Sequence, residues 1–121
     1  MKTHVKTIAG VTVVAPSGRL MGGDETSAFE EKLYALLGRG TGDVVVDLGE
    51  VDWINSTGLS VLIHHWHEFR ERGFKLRLAN LTRKTEDVLV ISRLTEVFDC
   101  YETLKDALAS FGNRTIPQTA G

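Results

Sequence analysis

Val44-Val45-Val46-Asp47-Leu48, bounded by Gly42 and Gly49, is a short continuous apolar run. A strand covered on both faces of a sheet reads this way, because neither set of alternating side chains meets water. After Glu50-Val51-Asp52-Trp53-Ile54 come four small or polar residues, Asn55-Ser56-Thr57-Gly58. Beyond them Leu59, Leu62, Ile63, Trp66 and Phe69 recur at helical spacing as one apolar stripe. Asn and Ser are strong helix N-caps, since their side-chain oxygens accept bonds from unpaired first-turn amides. Asn55 or Ser56 therefore caps a helix, and the hydroxyls of Ser56 and Thr57 sit at the positive end of its dipole. A buried strand delivers a hydroxyl-bearing loop to a helix N-terminus, which makes this the candidate functional stretch.

The flanking segments fill in the architecture. Val5, Ile8, Val11, Val13 and Val14 lie around Ala9-Gly10 and predict two short strands joined by a tight hairpin. Pro16, Ser17 and Gly18 interrupt that pattern, so Arg19-Leu20-Met21-Gly22-Gly23 reads as a loop. Asp24 is placed to cap the next helix, with Ser27 and Glu30 as an alternative capping box. Ala28 or Phe29, with Leu33, Leu36 and Leu37, supplies its buried face, and the glycines of 38–42 end it. Arg72-Gly73 turns the chain into a half-buried strand in which Leu76 and Leu78 alternate with Lys75 and Arg77. Thr82 opens a third helix with Val88, Leu89, Ile91 and Leu94 as its apolar side. Val97, Phe98 and Tyr101 form a last strand, and Thr103 with Asp106 begins a helix burying Leu104, Ala107, Leu108 and Phe111. Residues 112–121 hold one large apolar residue, Ile116, beside Pro117, and are expected to form a flexible tail. Two strands followed by helix–strand alternation predict an α/β domain with a mixed sheet, its first strand antiparallel at the edge.

The chain has 121 residues, enough for one domain with one ordinary core. A net charge of -2 and the lack of any basic block give no electrostatic reason to expect nucleic acid or an anionic membrane. Cys100 is the single cysteine, which suits a reducing cytoplasm. The N-terminus lacks the apolar core of a secretory signal, and no run approaches the length of a membrane span.

Several chemistries have partial signatures. Asp47 ends a buried strand as a receiver phosphoacceptor does. The paired acids after the first strand and the lysine after the last are replaced by Ala15-Pro16-Ser17 and Asp99-Cys100-Tyr101. Asp47 reads better as a residue bonding loop amides. Gly58-Leu59-Ser60-Val61 begins like a nucleophile elbow but lacks the second glycine, and no histidine follows in the last third of the chain. His64, His65 and His67 cluster on the second helix, where His64 and His67 could share a face. Nothing completes a metal set, so a solvated or partner-facing helix surface is the expectation. Gly18, Gly22 and Gly23 follow a strand without either phosphate-loop spacing, and turn geometry explains them.

The run Val44-Val45-Val46-Asp47-Leu48, a spacer, then Ile54-Asn55-Ser56-Thr57-Gly58-Leu59 resembles the signature of STAS domains. Within that family it is most similar to small stand-alone anti-sigma factor antagonists, whose loop reads Asp-Ser-Ser/Thr-Gly-Leu-Gly. Here Asn55 stands in place of the Asp and Ser60 in place of the second Gly. The resemblance implies a single STAS domain over residues 1–111, with a mixed sheet of four to five strands and about four helices. It implies a binding protein that is no enzyme and holds no cofactor. By position the phosphorylated residue is Ser56, with Thr57 as the alternative. The implied partner is an anti-sigma factor that is also an ATP-binding serine kinase, bound by the unphosphorylated form; a serine phosphatase would restore binding. ATP and Mg²⁺ would belong to the kinase. Asn55, Ser56, Thr57, Gly58 and Leu59 form the implied partner surface, flanked by Arg19, Leu20 and Met21. The implied setting is a cytoplasmic protein, monomeric when free. A second reading is a constitutive, unphosphorylated STAS subunit of a transport complex or signalling scaffold. Asn55 leads to it, because Asn keeps the cap and loses the family's carboxylate.

Overall fold

Ala9 and Gly10, with φ of 54° and 82°, close the first hairpin. Two positive-φ residues in a two-residue loop are what a type I′ turn requires. The computed structural model describes residues 3–111. In it β1 (His4–Ile8) runs antiparallel to β2 (Val11–Ala15), in a register that pairs His4 with Ala15 and Ile8 with Val11. β2 then pairs in parallel with β4 (Val44–Asp47), β4 with β6 (Leu76–Ala79), and β6 with β7 (Cys100–Tyr101). The main sheet is five-stranded, in the order β1-β2-β4-β6-β7, so the antiparallel strand lies at the edge as expected.

β4 occupies the centre, and Val44, Val45 and Val46 are all 0% exposed. Val44 and Val46 join Leu76 and Leu78 in the larger core, beneath Phe29, Leu33, Leu62, Phe69 and Leu89. Those residues come from α1 (Asp24–Arg39), α2 (Ser56–Glu71) and α3 (Arg83–Ile91). Val45 faces the other way, with Val11 and Ala79, against Ala107, Leu104 and Leu108 of α4 (Leu104–Ala109). Alternation along the three valines of this strand thus assigns three helices to one face and one to the other.

The loop expected at Arg19–Gly23 is partly strand. β3 (Ser17–Leu20) pairs in parallel with β5 (Glu50–Ile54) in a separate two-stranded ladder. Gly18 pairs with Val51 and Arg19 with Trp53, leaving Asp52 as an extra residue. This bulge destroys the period-2 signal: Val51 and Ile54 both face inward while Asp52 and Trp53 are exposed.

Other boundaries differ in detail. Gly23, not Asp24, is the N-cap of α1, and Asp24 and Glu25 occupy its first turn, where the dipole favours acids. Neither Asp24 nor the Ser27–Glu30 pair makes a cap bond; Thr26 Oγ1 accepts from Gly22 N at 2.9 Å instead. Gly40 ends α1 in the left-handed conformation at φ 66°. Val97 and Phe98 fall outside β7, after a 3₁₀ turn (Leu94–Glu96). Ile91, assigned above to the buried side of α3, is 82% exposed, because that helix ends there and only Thr85 and Leu89 are buried. Thr82 and Thr103 cap α3 and α4 as expected, accepting from Thr85 N and Asp106 N. The expected tail, 112–121, lies outside the described residues.

Candidate functional site

β5 ends with Ile54 in the core, and Asn55 follows in an extended conformation at φ -118°. The Asn55 backbone N donates to Leu20 O at 3.3 Å, stitching the loop to the end of β3. Its side-chain Oδ1 accepts from Gly58 N at 3.1 Å, so Asn55 is the N-cap of α2. Ser56 and Thr57 are the first two helical residues and both are exposed. Neither hydroxyl makes a hydrogen bond among the described residues. No acidic residue sits in this first turn, so the amide end of α2 faces solvent without a carboxylate of its own turn to balance it.

Gly58 explains how the helix end is brought so close to β3. A Cβ on it would fall 2.1 Å from Leu20 O and 2.7 Å from Ile54 Cγ1. Only a residue without a side chain fits that contact. On the other side of the loop, a Cβ on Gly22 would lie 3.1 Å from Thr57 Cγ2. Ser60, where the family motif often has glycine, turns its Oγ back to donate to Ser56 O at 2.9 Å. Its hydroxyl is therefore spent within the helix.

The residues singled out in the sequence come together here but divide by burial. Ser56, Thr57, Arg19 and Met21 are exposed and Asn55 is half-buried. Leu20, Gly58 and Leu59 are buried and shape the surface from beneath. Leu20 in particular is 0% exposed, because β3 turns it into the core opposite Ile54. Trp53 was not singled out, yet it is 42% exposed and pairs with Arg19 across the ladder. With Arg19, Met21, Asp52 and Lys84 it lines an open recess of about 350 Å³. Little in the sequence signals it, because the bulge at Asp52 breaks the alternation that would mark Trp53 as outward-facing.

The remaining candidates resolve into separate arrangements. Asp47 Oδ1 accepts from Gly49 N at 2.9 Å and Asn80 Nδ2 at 3.1 Å, so it organises loops as expected. The histidines are not one surface. His67 is exposed near Glu71, and His64 Nε2 lies 3.2 Å from the Tyr34 hydroxyl. His65, by contrast, is 0% exposed, with Nε2 3.1 Å from Glu30 Oε2. It follows Leu62 by three residues and precedes Phe69 by four, so helix geometry turns it into the core. Burial holds its pKa below the ordinary histidine value, against the opposing pull of Glu30. The Cys100 thiol is pushed up to about 11, first by burial and then by Asp99 and Glu86, so it is no ready nucleophile. Among the described residues no helix is long and apolar enough to cross a membrane.

Similarity to known proteins follows the same stretch of chain. A family model for the STAS domain matches residues 2–107. BtrV of Bordetella bronchiseptica, named for an anti-sigma factor antagonist role, is 28% identical over 111 residues, covering 92% of this chain and 95% of its own. A crystal structure of an anti-sigma factor antagonist from Mycobacterium paratuberculosis is similar with a TM-score of 0.80 at 26% identity, over 90% of this chain and 92% of that one. The phosphorylated form of the Bacillus cell fate determinant SpoIIAA shares the fold at 14% identity, with a TM-score of 0.70 over 90% of this chain and 98% of that one. The chain belongs to the STAS domain family, and within it is similar to the anti-sigma factor antagonists.

Proposed function

We propose that this STAS domain is an anti-sigma factor antagonist whose binding is switched off by phosphorylation at Ser56. As a member of this family it acts by binding and is not an enzyme. Its partner is an anti-sigma factor that is also an ATP-binding serine kinase, and capture of that partner frees a sigma factor for transcription. The observation that carries the reading is the position of Ser56. It is exposed on the first turn of a helix that Asn55 caps and Gly58 seats against Leu20 at the end of β3. A hydroxyl there is open to a kinase, and the Asn55 cap and the Gly58 contact fix the turn that carries it. Transfer of the γ-phosphoryl group from the partner's ATP to Ser56 Oγ would release ADP and the hydroxyl proton. A serine phosphatase would reverse the modification by hydrolysis. ATP and Mg²⁺ belong to the kinase, and the setting is the cytoplasm, with the free domain monomeric.

Asn55 supports a second reading, a constitutive subunit of a transport complex or scaffold. A carboxylate there could help place a metal ion or accept the hydroxyl proton during transfer, and the amide does neither. The test is an affinity pull-down from the native cell with wild type and Ser56→Asp, the captured proteins being identified by mass spectrometry. An ATP-binding anti-sigma factor held by wild type and lost by Ser56→Asp is the expected result. Equal capture of transporter subunits by both would establish the second reading instead.

A further inference from the structure

The outer edge of β6 is only half covered. β7 pairs with Leu78 and Ala79 alone, leaving the start of β6 beside the turn that follows α2. There the chain forms an open recess of about 350 Å³, walled by Trp66, Phe74 and Val97. A volume of that order falls in the range of about 300–1,000 Å³ usual for small-molecule sites. Three cations line the same recess, Arg70, Lys75 and Arg77, against one acid, Asp99.

Arg77 has the most unusual environment of the four. Its side chain is 12% exposed, with its guanidinium 4.4 Å above the Phe111 ring. One nitrogen, NH1, donates to Ser110 Oγ at 2.8 Å. Nε lies 3.4 Å from Asp99 Oδ2 yet makes no hydrogen bond, and Asp99 itself is 65% exposed. A guanidinium carries five donors, and a largely buried one calls for a well-placed anion. Among the described residues the acid nearest to it is Asp99, 3.4 Å away, and that carboxylate is largely solvated. Arg70 lies 5.2 Å over the Trp66 ring, which holds a second cation at the rim, and Lys75 is exposed beside it.

We propose that this recess binds a small organic anion, a carboxylate or phosphate ester with a compact apolar body. The body packs on Trp66, Phe74 and Val97, and the anionic group takes up donors of Arg77, Arg70 and Lys75 in place of Asp99. The recess does not involve Ser56 or the β3–β5 ladder, so the inference stands apart from the proposed partner surface.

Phenyl phosphate is a suitable probe, carrying both an aromatic body and a phosphate. Titration of the full chain followed by ¹H–¹⁵N NMR should give saturable shifts centred on Gly73, Lys75, Arg77 and Asp99. Inorganic phosphate and benzyl alcohol, each carrying half of the recognition, should bind at least about tenfold more weakly. The double variant Arg70→Gln, Lys75→Gln changes exposed side chains only, so it keeps the fold, and should lose at least about tenfold in affinity. Asp99→Asn removes the competing carboxylate and should tighten binding. Shifts that do not saturate, equal affinity for the three probes, unchanged affinity in the double variant, or weaker binding by Asp99→Asn would each overturn the proposal.

Discussion

His65 of α2 and Glu30 of α1 meet at 3.1 Å between Nε2 and Oε2, joining the two longest helices through a ring that is 0% exposed. Tyr34 lies edge-on to the ring, 4.6 Å between centroids. The tautomer with its proton on Nε2 gives Glu30 a donor. It leaves Nδ1, which has no hydrogen-bond partner, as a buried lone pair. A neutral ring is tolerated there, whereas an imidazolium must be desolvated.

The first prediction is a loss of stability in mild acid. His65 has its folded pKa below the unfolded value near 6.5, with burial outweighing the opposite pull of Glu30 and Glu68 and His64 adding to the lowering. The unfolded chain therefore binds the proton first as pH falls. Stability from this group is complete above about 6.5 and declines below it, by at most about 1.4 kcal/mol per pH unit. Urea midpoints between pH 8 and 5 should fall more steeply for wild type than for His65→Leu. Identical slopes would show that another group controls the acid limb.

Two glycines in helices should respond with opposite signs. Gly58→Ala places a Cβ against the Leu20 carbonyl, a backbone atom that cannot step aside. Overpacking of this kind costs about 1–3 kcal/mol, more than the gain of up to about 1 kcal/mol in helix propensity. Gly38, inside α1, has nothing within 4 Å of an added Cβ, so Gly38→Ala should stabilise by up to about 1 kcal/mol. Chemical denaturation of both variants checks the pair. A stable Gly58→Ala protein would mean that α2 can withdraw from β3 without loss.

Asn55 separates folding from phosphoryl transfer. Asn55→Ala removes the acceptor for Gly58 N and should cost about 1 kcal/mol, while Asn55→Asp keeps the cap and should be nearly neutral. Under the proposed function the carboxylate should also raise the initial rate of Ser56 phosphorylation by the partner kinase. Equal rates for wild type and Asn55→Asp would show that the missing carboxylate is not what limits transfer.

These tests concentrate where the sequence was most and least legible. The central strand could be read from Val44–Val46 because burial on both faces leaves only apolar residues. The caps Asn55, Thr82 and Thr103 could be read because first-turn amides need a side-chain acceptor. The β3–β5 ladder could not, since β3 is only Ser-Gly-Arg-Leu and the bulge at Asp52 breaks the alternation of its partner. That ladder places Arg19 beside Trp53, so the outline of the candidate surface was hidden with it. His65 departs from the expected solvated face because its spacing from Leu62 and Phe69 puts it on the buried stripe, polar though it is.

The last prediction concerns what phosphate at Ser56 does to the fold and to binding separately. A phosphoserine brings about 1.5 to 2 negative charges at neutral pH. At the first turn of α2 it would meet free amides and the positive dipole end, with no acidic residue in that turn to repel it. Such placement is worth about 0.3–1 kcal/mol per unit charge near the surface. The isolated domain should therefore melt at the same temperature or higher. At a partner surface complementary to an uncharged hydroxyl, the same group must be desolvated without a counter-charge, which costs several kcal/mol. Each 1.4 kcal/mol is tenfold, so partner binding should weaken by about a hundredfold or more. Both quantities can be measured on one sample phosphorylated at Ser56, by thermal melting and by titration with the anti-sigma factor. A large fall in melting temperature accompanying the lost affinity would mean that phosphate acts by unfolding the loop. Unaltered affinity on that sample would remove Ser56 from the switch altogether.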